Sequence, residues 1–251
     1  MSAFEIISVV LSSIAIIVSV IPIVKKWVTK AEVFFYPVGL VNLFFNQSGS
    51  YIRLNGVIES KRKPVSIKNM SVEIKREKDS QKLNLSWSQL ISPVNQRLVG
   101  NVVQTTECAH PFRVDGDSIM TTFVEYTDPF DSFGKTFRNR SSKLFEKADS
   151  FSIFYKSDYE LACEAYSGEE AYLELISMLK DELFWKVGKY SLDVIVEYNN
   201  TKRSFKYEFS ISEKDYAELS QNIEEAVLAP LKMKCGIKYS FNSANVEIVK
   251  K

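Results

Sequence analysis

The sequence predicts a mainly β protein with helices, a β-rich α+β fold: an N-terminal single transmembrane helix followed by an antiparallel, immunoglobulin-like β-sandwich with accompanying helices. Three observations predict it. From Ile6 to Val24 no residue is charged, close to the roughly 20 residues an α-helix needs to cross ~30 Å of hydrocarbon. From Val33 onward, short runs alternate apolar and polar residues, as strands with one buried face do. Helical spacing with capping residues appears only later in the chain. The expected organisation is an anchor at 1–28, a β-sandwich domain at 31–135, and an α+β domain at 136–251 that packs on the sandwich or continues it.

Backbone amides inside a bilayer have no water to bond, so the first segment is expected to be helical. Basic residues follow the apolar run rather than precede it, unlike a cleaved secretory signal. Lys25, Lys26, Trp27 and Lys30 are expected to anchor it at the interface, which under the positive-inside bias puts the N-terminus outside and the C-terminal body in the cytoplasm. Ser8, Ser12, Ala15 and Ser19 recur at intervals of four, three and four and share one helical face. Small residues let helix backbones approach, so this stripe is the candidate for self-association. The alternative is a lone helix whose serines bond their own carbonyls.

Next comes Val33 to Phe45, an aromatic and β-branched stretch broken by Pro37 and Gly39, read as one or two buried strands. Ile52, Leu54, Gly56 and Ile58 alternate with polar neighbours. Val65 and Ile67 are followed out of phase by Met70, Val72 and Ile74, which predicts a bulge near Asn69. Leu83, Leu85 and Trp87 form a third set, and residues 97–103 and 119–126 are expected to add strands. Short strands at this spacing suggest a sandwich.

Ser157 to Glu160 and Ser167 to Glu170 read as capping boxes opening helices over 158–166 and 168–184. The second carries Tyr172, Leu175, Ile176 and Leu179 at core spacing. Tyr190 to Tyr198 and Phe205 to Ile211 alternate around Asn199-Asn200, which marks a hairpin because Asn tolerates the left-handed turn conformation. Ser212 to Asp215 caps a helix expected to stop near Pro230. Strands near 237–241 and 246–249 end the chain.

With 32 Lys+Arg against 31 Asp+Glu, no global field draws nucleic acid, which is not expected as a partner. Cys108, Cys163 and Cys235 are odd in number and far apart, as free thiols in a reducing compartment are. The Asn-x-Ser/Thr sequons at Asn46, Asn69, Asn84, Asn139 and Asn199 are expected by chance in so Asn- and Ser-rich a chain. His110 is the sole histidine, and with Cys108 it falls short of the four ligands of a zinc site. Asp115-Gly116-Asp117 and Asp128-Pro129-Phe130-Asp131 are turn formers first. No Gly-rich phosphate loop or nucleophile elbow occurs. No metal, cofactor or catalytic residue is therefore expected. Two basic clusters, Lys61, Arg62 and Lys63, and Arg138, Arg140 and Lys143, are candidates for anionic lipid or another polyanion.

The function expected is non-enzymatic: a membrane-anchored binding or scaffolding protein whose cytoplasmic sandwich recognises a protein partner. The 17 Phe and 12 Tyr suit a filled core and an aromatic interface. The alternative is an oligomerising effector in which the body senses a partner or ligand and the helices perturb the bilayer. In layout alone, an apolar helix followed by a sensing body, the chain is similar to membrane-anchored effectors of bacterial antiviral systems.

Overall fold

The structure is a computed structural model that describes residues 3–98, 101–156 and 158–251. Fifteen elements follow one another: α1 (Ala3–Val28), β1 (Glu32–Asn46), β2 (Gly49–Lys61), β3 (Val65–Arg76), β4 (Lys82–Leu98), β5 (Asn101–Cys108), β6 (Phe112–Val114), β7 (Ser118–Thr127), α2 (Ser132–Phe154), α3 (Tyr159–Ser167), α4 (Glu170–Glu182), β8 (Gly188–Tyr198), β9 (Thr201–Ile211), α5 (Glu213–Lys234) and β10 (Ser243–Lys250).

The strands run β4-β7-β2-β1-β10-β9-β8-β3, and β3 then pairs back to β4 from Ser71↔Ser86 to Lys75↔Lys82. Eight antiparallel strands thus close into a barrel, with β5 added outside β4 and β6 outside β3. This overturns the expected immunoglobulin-like sandwich. Period-two alternation states that each strand has one buried face but not which strand lies beside it, and the β3–β4 pairing is what turns two faces into one closed wall.

The inward set fills the interior. Val33, Phe35, Leu43, Ile52, Leu54, Ile58, Met70, Val72, Leu192, Val194 and Val196 are all buried. Each such side chain contributes about 1.5–3 kcal/mol by leaving water. The phase change in β3 is real, as its register against β8 shifts between Ile67 and Asn69. Gly56 faces the Phe35 ring so closely that a Cβ would lie 2.4 Å from it, so only glycine fits there. In β1 the ladder to β2 breaks between Pro37 and Val41, where Gly39 takes φ +60°. The β8–β9 hairpin turns on Asn199 and Asn200, both with positive φ.

One end of the barrel is capped. Here α2, α4 and α5 pack on one another and α5 rests on β1 and β10. Trp185, fully buried, donates from Nε1 to the Phe44 carbonyl at 2.7 Å. Buried Asn222 donates to the carbonyls of Phe45 at 2.9 Å and Asn242 at 2.8 Å, and accepts from the Asn242 N–H at 2.7 Å. Arg76 fixes the β3–β4 turn to the same end, donating to the Phe184 carbonyl at 2.7 Å and pairing with Asp79 at 2.7 Å.

Several local expectations change. α4 begins after Glu169 with no side-chain cap, while the Ser167 hydroxyl bonds the Cys163 carbonyl. Ser157 lies outside the described residues, and Asp158 caps α3 by accepting from Glu160 N–H and Leu161 N–H. The capping box of Ser212 and Asp215 is present, but α5 continues through Pro230 to Lys234. No strand forms at 237–241. The strand pair expected near 97–103 is the end of β4 and the start of β5, and residues 99 and 100 between them lie outside the described residues.

The membrane expectation is also corrected. α1 is a helix, yet among the described residues no helix is long and apolar enough to cross a membrane. A run without charge is a weaker condition than a run of apolar residues, and this one holds Ser8, Ser12, Ser13, Ser19 and Pro22. The single-pass span is therefore withdrawn, and with it the orientation that put the N-terminus outside and the body in the cytoplasm.

Candidate functional site

Two regions outside the core present chemistry, at opposite ends of the barrel. At the open end α1 leads into β1. Every side chain from Val10 to Pro22 is exposed, including Ile14, Ile17 and Ile21 at 51%, 58% and 57%. Ser8, Ser12, Ala15 and Ser19 are among the exposed residues. The Ser12 hydroxyl donates to the Ser8 carbonyl and that of Ser19 to the Ile16 carbonyl, each at 2.8 Å, so both are engaged within their own helix. Lys25, Lys26 and Trp27 fall in the last turns of α1, and Lys30 is exposed just beyond.

The first basic cluster is the β2–β3 turn at this same end. Arg62, at φ 75°, pairs with Glu32 at 2.7 Å, and its N–H donates to Asp117 at 2.8 Å. Lys61 sits 4.8 Å over the Phe34 ring, and the Lys63 carbonyl accepts from the Ser60 hydroxyl at 2.6 Å. Arg203 of β9 also covers Phe34, at 4.4 Å. Tyr36 stacks beside Phe34 and donates to Glu59 at 3.0 Å. The result is a cation and aromatic array at the open end.

The second basic cluster lies on α2 at the capped end, so the two do not converge. Arg138 pairs with Asp131, Lys143 is exposed, and Arg140 lines a cleft of about 860 Å³ between α2, α4 and the β1–β2 turn. Asp128, Glu174, Asp181 and Glu182 face the same cleft, with Phe133 and Met178 as its apolar part. Desolvation and the Asp128 charge raise Glu182 above its ordinary carboxylate value. At Asp128 desolvation works upward too, but hydrogen bonds from the N–H groups of Phe130 and Ser132, at 3.0 and 2.8 Å, outweigh it and hold the group low. The cleft thus holds one readily ionised and one reluctant carboxylate.

His110 and Cys108 are exposed, and His110 Nδ1 lies 3.1 Å from the Cys108 carbonyl oxygen. Cys163 and Cys235 are half-buried. Among the described residues, no three His, Cys, Asp or Glu side chains gather as a metal would need.

Sequence reasoning passes over Arg203, and it reads Asp128 as a turn former and Glu174, Asp181 and Glu182 as a solvated helix face rather than as one cleft. Arg203 carried a signal, since it stands in phase with Phe205, Tyr207 and Phe209, a charge at an inward position of a strand. The cleft acids carried none, because their convergence depends on how α4 meets α2 and the β1–β2 turn.

No protein-family model matches the chain, and no curated protein does. Among solved structures, a family 123 glycoside hydrolase from Clostridium perfringens, studied for glycolipid glycan hydrolysis, aligns at a TM-score of 0.32 and 9% identity. The alignment covers 73% of this chain and 27% of that one. A likeness at this level carries no argument about activity.

Proposed function

We propose that the chain is a non-enzymatic binding or scaffolding protein in which a filled barrel with a helical cap forms the rigid body and α1 is the element that associates. The observation that supports this reading is the exposure of every α1 side chain from Val10 to Pro22. A helix that leaves a row of Ile and Val side chains in the open is stable where something covers them. Exposed apolar surface of this extent marks an association site. Each Ile or Val that α1 buries against a partner contributes about 1.5–3 kcal/mol.

The test is the sedimenting mass of the full chain in plain buffer, beside a variant carrying Ile14→Glu, Ile17→Glu and Ile21→Glu. The reading expects the wild type to run as an assembly and the variant as a monomer with unchanged barrel unfolding. A wild type that is monomeric and as soluble as the variant contradicts it.

A further inference from the structure

The cap holds a second hollow, on another face of α4 from the cleft. Glu174, Asp181 and Glu182 of α4 face the cleft, while Tyr172, Leu173, Ile176 and Lys180 face a groove of about 400 Å³ whose other wall is α5. From α5 it takes Tyr216, Ile223 and Glu224, and Lys186 closes one end.

The two helices pass each other in opposite directions. Beyond the end of α4, Lys186 donates from Nζ to the Lys180 carbonyl at 3.3 Å and lies 5.6 Å over the ring of Tyr216, in the first turn of α5. At the other end Tyr172, in the first turn of α4, meets Glu224, two turns further along α5. Burial there pushes the Tyr172 hydroxyl up to about 12, and the Glu224 charge adds to the shift. The groove is therefore polarised along its length, with Lys180 and Lys186 at one end, Glu224 at the other, and Leu173, Ile176 and Ile223 along its walls. Among the described residues neither lysine has a carboxylate within ion-pair distance, and Glu224 has no cation. At a rise of about 1.5 Å per residue, the step from Tyr172 to Lys180 sets the two ends ~12 Å apart.

We propose that this groove binds a short apolar peptide with free termini. Its carboxylate lies between Lys180 and Lys186, its ammonium lies against Glu224, and its side chains pack on Leu173, Ile176 and Ile223. An extended chain rises ~3.3 Å per residue, so about four residues span the two ends. A hollow of this size, apolar with a few charged groups at fixed places, is of the kind that orients small ligands. Unpaired charges of opposite sign at its two ends favour an occupant that carries the complementary pair, as a peptide with both termini free does. The site is separate from α1.

The probe is the tetrapeptide Ala-Leu-Val-Ala with free termini, titrated into the full chain by isothermal calorimetry. Saturable binding is expected, weakened at least about threefold by N-acetylation and again by C-amidation, the size of an exposed charge pair. Glu224→Gln is expected to abolish the difference between the free and the acetylated peptide, and Lys180→Gln with Lys186→Gln the difference between the free and the amidated one. None of the three side chains is buried, so the variants are expected to unfold at the wild-type midpoint. The Ile14→Glu, Ile17→Glu, Ile21→Glu variant is expected to bind the peptide as the wild type does, which separates this site from the reading of α1. Absence of saturable binding, equal binding of the free and the doubly blocked peptide, a blocking effect that persists in the groove variants, or binding lost in the α1 variant would overturn the proposal.

Discussion

The two ends of the barrel are built on opposite principles. At the capped end the strand ends are tied down: the carbonyls of Phe44 and Phe45 are taken by Trp185 and Asn222, and the rings of Phe184, Trp185, Tyr190 and Phe209 form a chain of contacts at 5.1 to 6.5 Å. At the open end cations cover aromatic rings, and α1 holds its apolar side chains exposed. One end is tied together by buried side chains, and the other carries the exposed helix on which the proposed association rests.

The largest effect that sharpens this contrast is expected from Trp185→Ala. It empties the middle of the capped end and strips the Phe44 carbonyl of its donor, so chemical denaturation should show a loss of about 4 kcal/mol. A loss under about 1 kcal/mol would mean that the cap is an accessory to the barrel rather than its keystone.

A smaller effect is expected from Glu182→Gln in the cleft. The folded protein holds this carboxyl above its ordinary value of 4.5, so the ionised form costs stability at neutral pH. That cost is relieved as pH falls through the raised value and is gone below the unfolded one. Glu182→Gln should therefore stabilise the protein at pH 7 by less than about 1 kcal/mol, the modest size reflecting solvent screening of an exposed group. The gain should vanish near pH 4, and unfolding midpoints measured across pH check both the sign and the window.

The same contrast explains what could be read in the sequence. The strands of the interior were legible because Leu192, Val194 and Val196, or Ile52, Leu54 and Ile58, follow a period that burial imposes. The turn at Asn199-Asn200 and the cap at Ser212 were legible because each is a local device. Closure was not, since it depends on β3 meeting β4 along a register no periodicity encodes. α2 was missed for a different reason: its buried positions include Gly134, Ser141, Ala148 and Ser152, with Phe137 and Leu144 between them. Small and polar residues on a buried face mute the helical signal. Asp131 before it takes a left-handed conformation and makes no side-chain cap bond, so no start signal marks it either. In α1 the absence of charge was plain, but the interspersed serines and Pro22 weigh against the membrane span read from it. Of the candidate sites, the basic clusters are legible in composition, while the cleft follows from tertiary arrangement.

The division of labour between the ends is tested most directly by native-state amide exchange on the full chain and on the Ile14→Glu, Ile17→Glu, Ile21→Glu variant. The amides of α1 should be protected in the wild type and lose that protection in the variant, while those of Phe45 and Tyr190 exchange at the global unfolding rate in both. Identical α1 exchange in the two proteins, or a loss that spreads to Phe45 and Tyr190, would contradict the account.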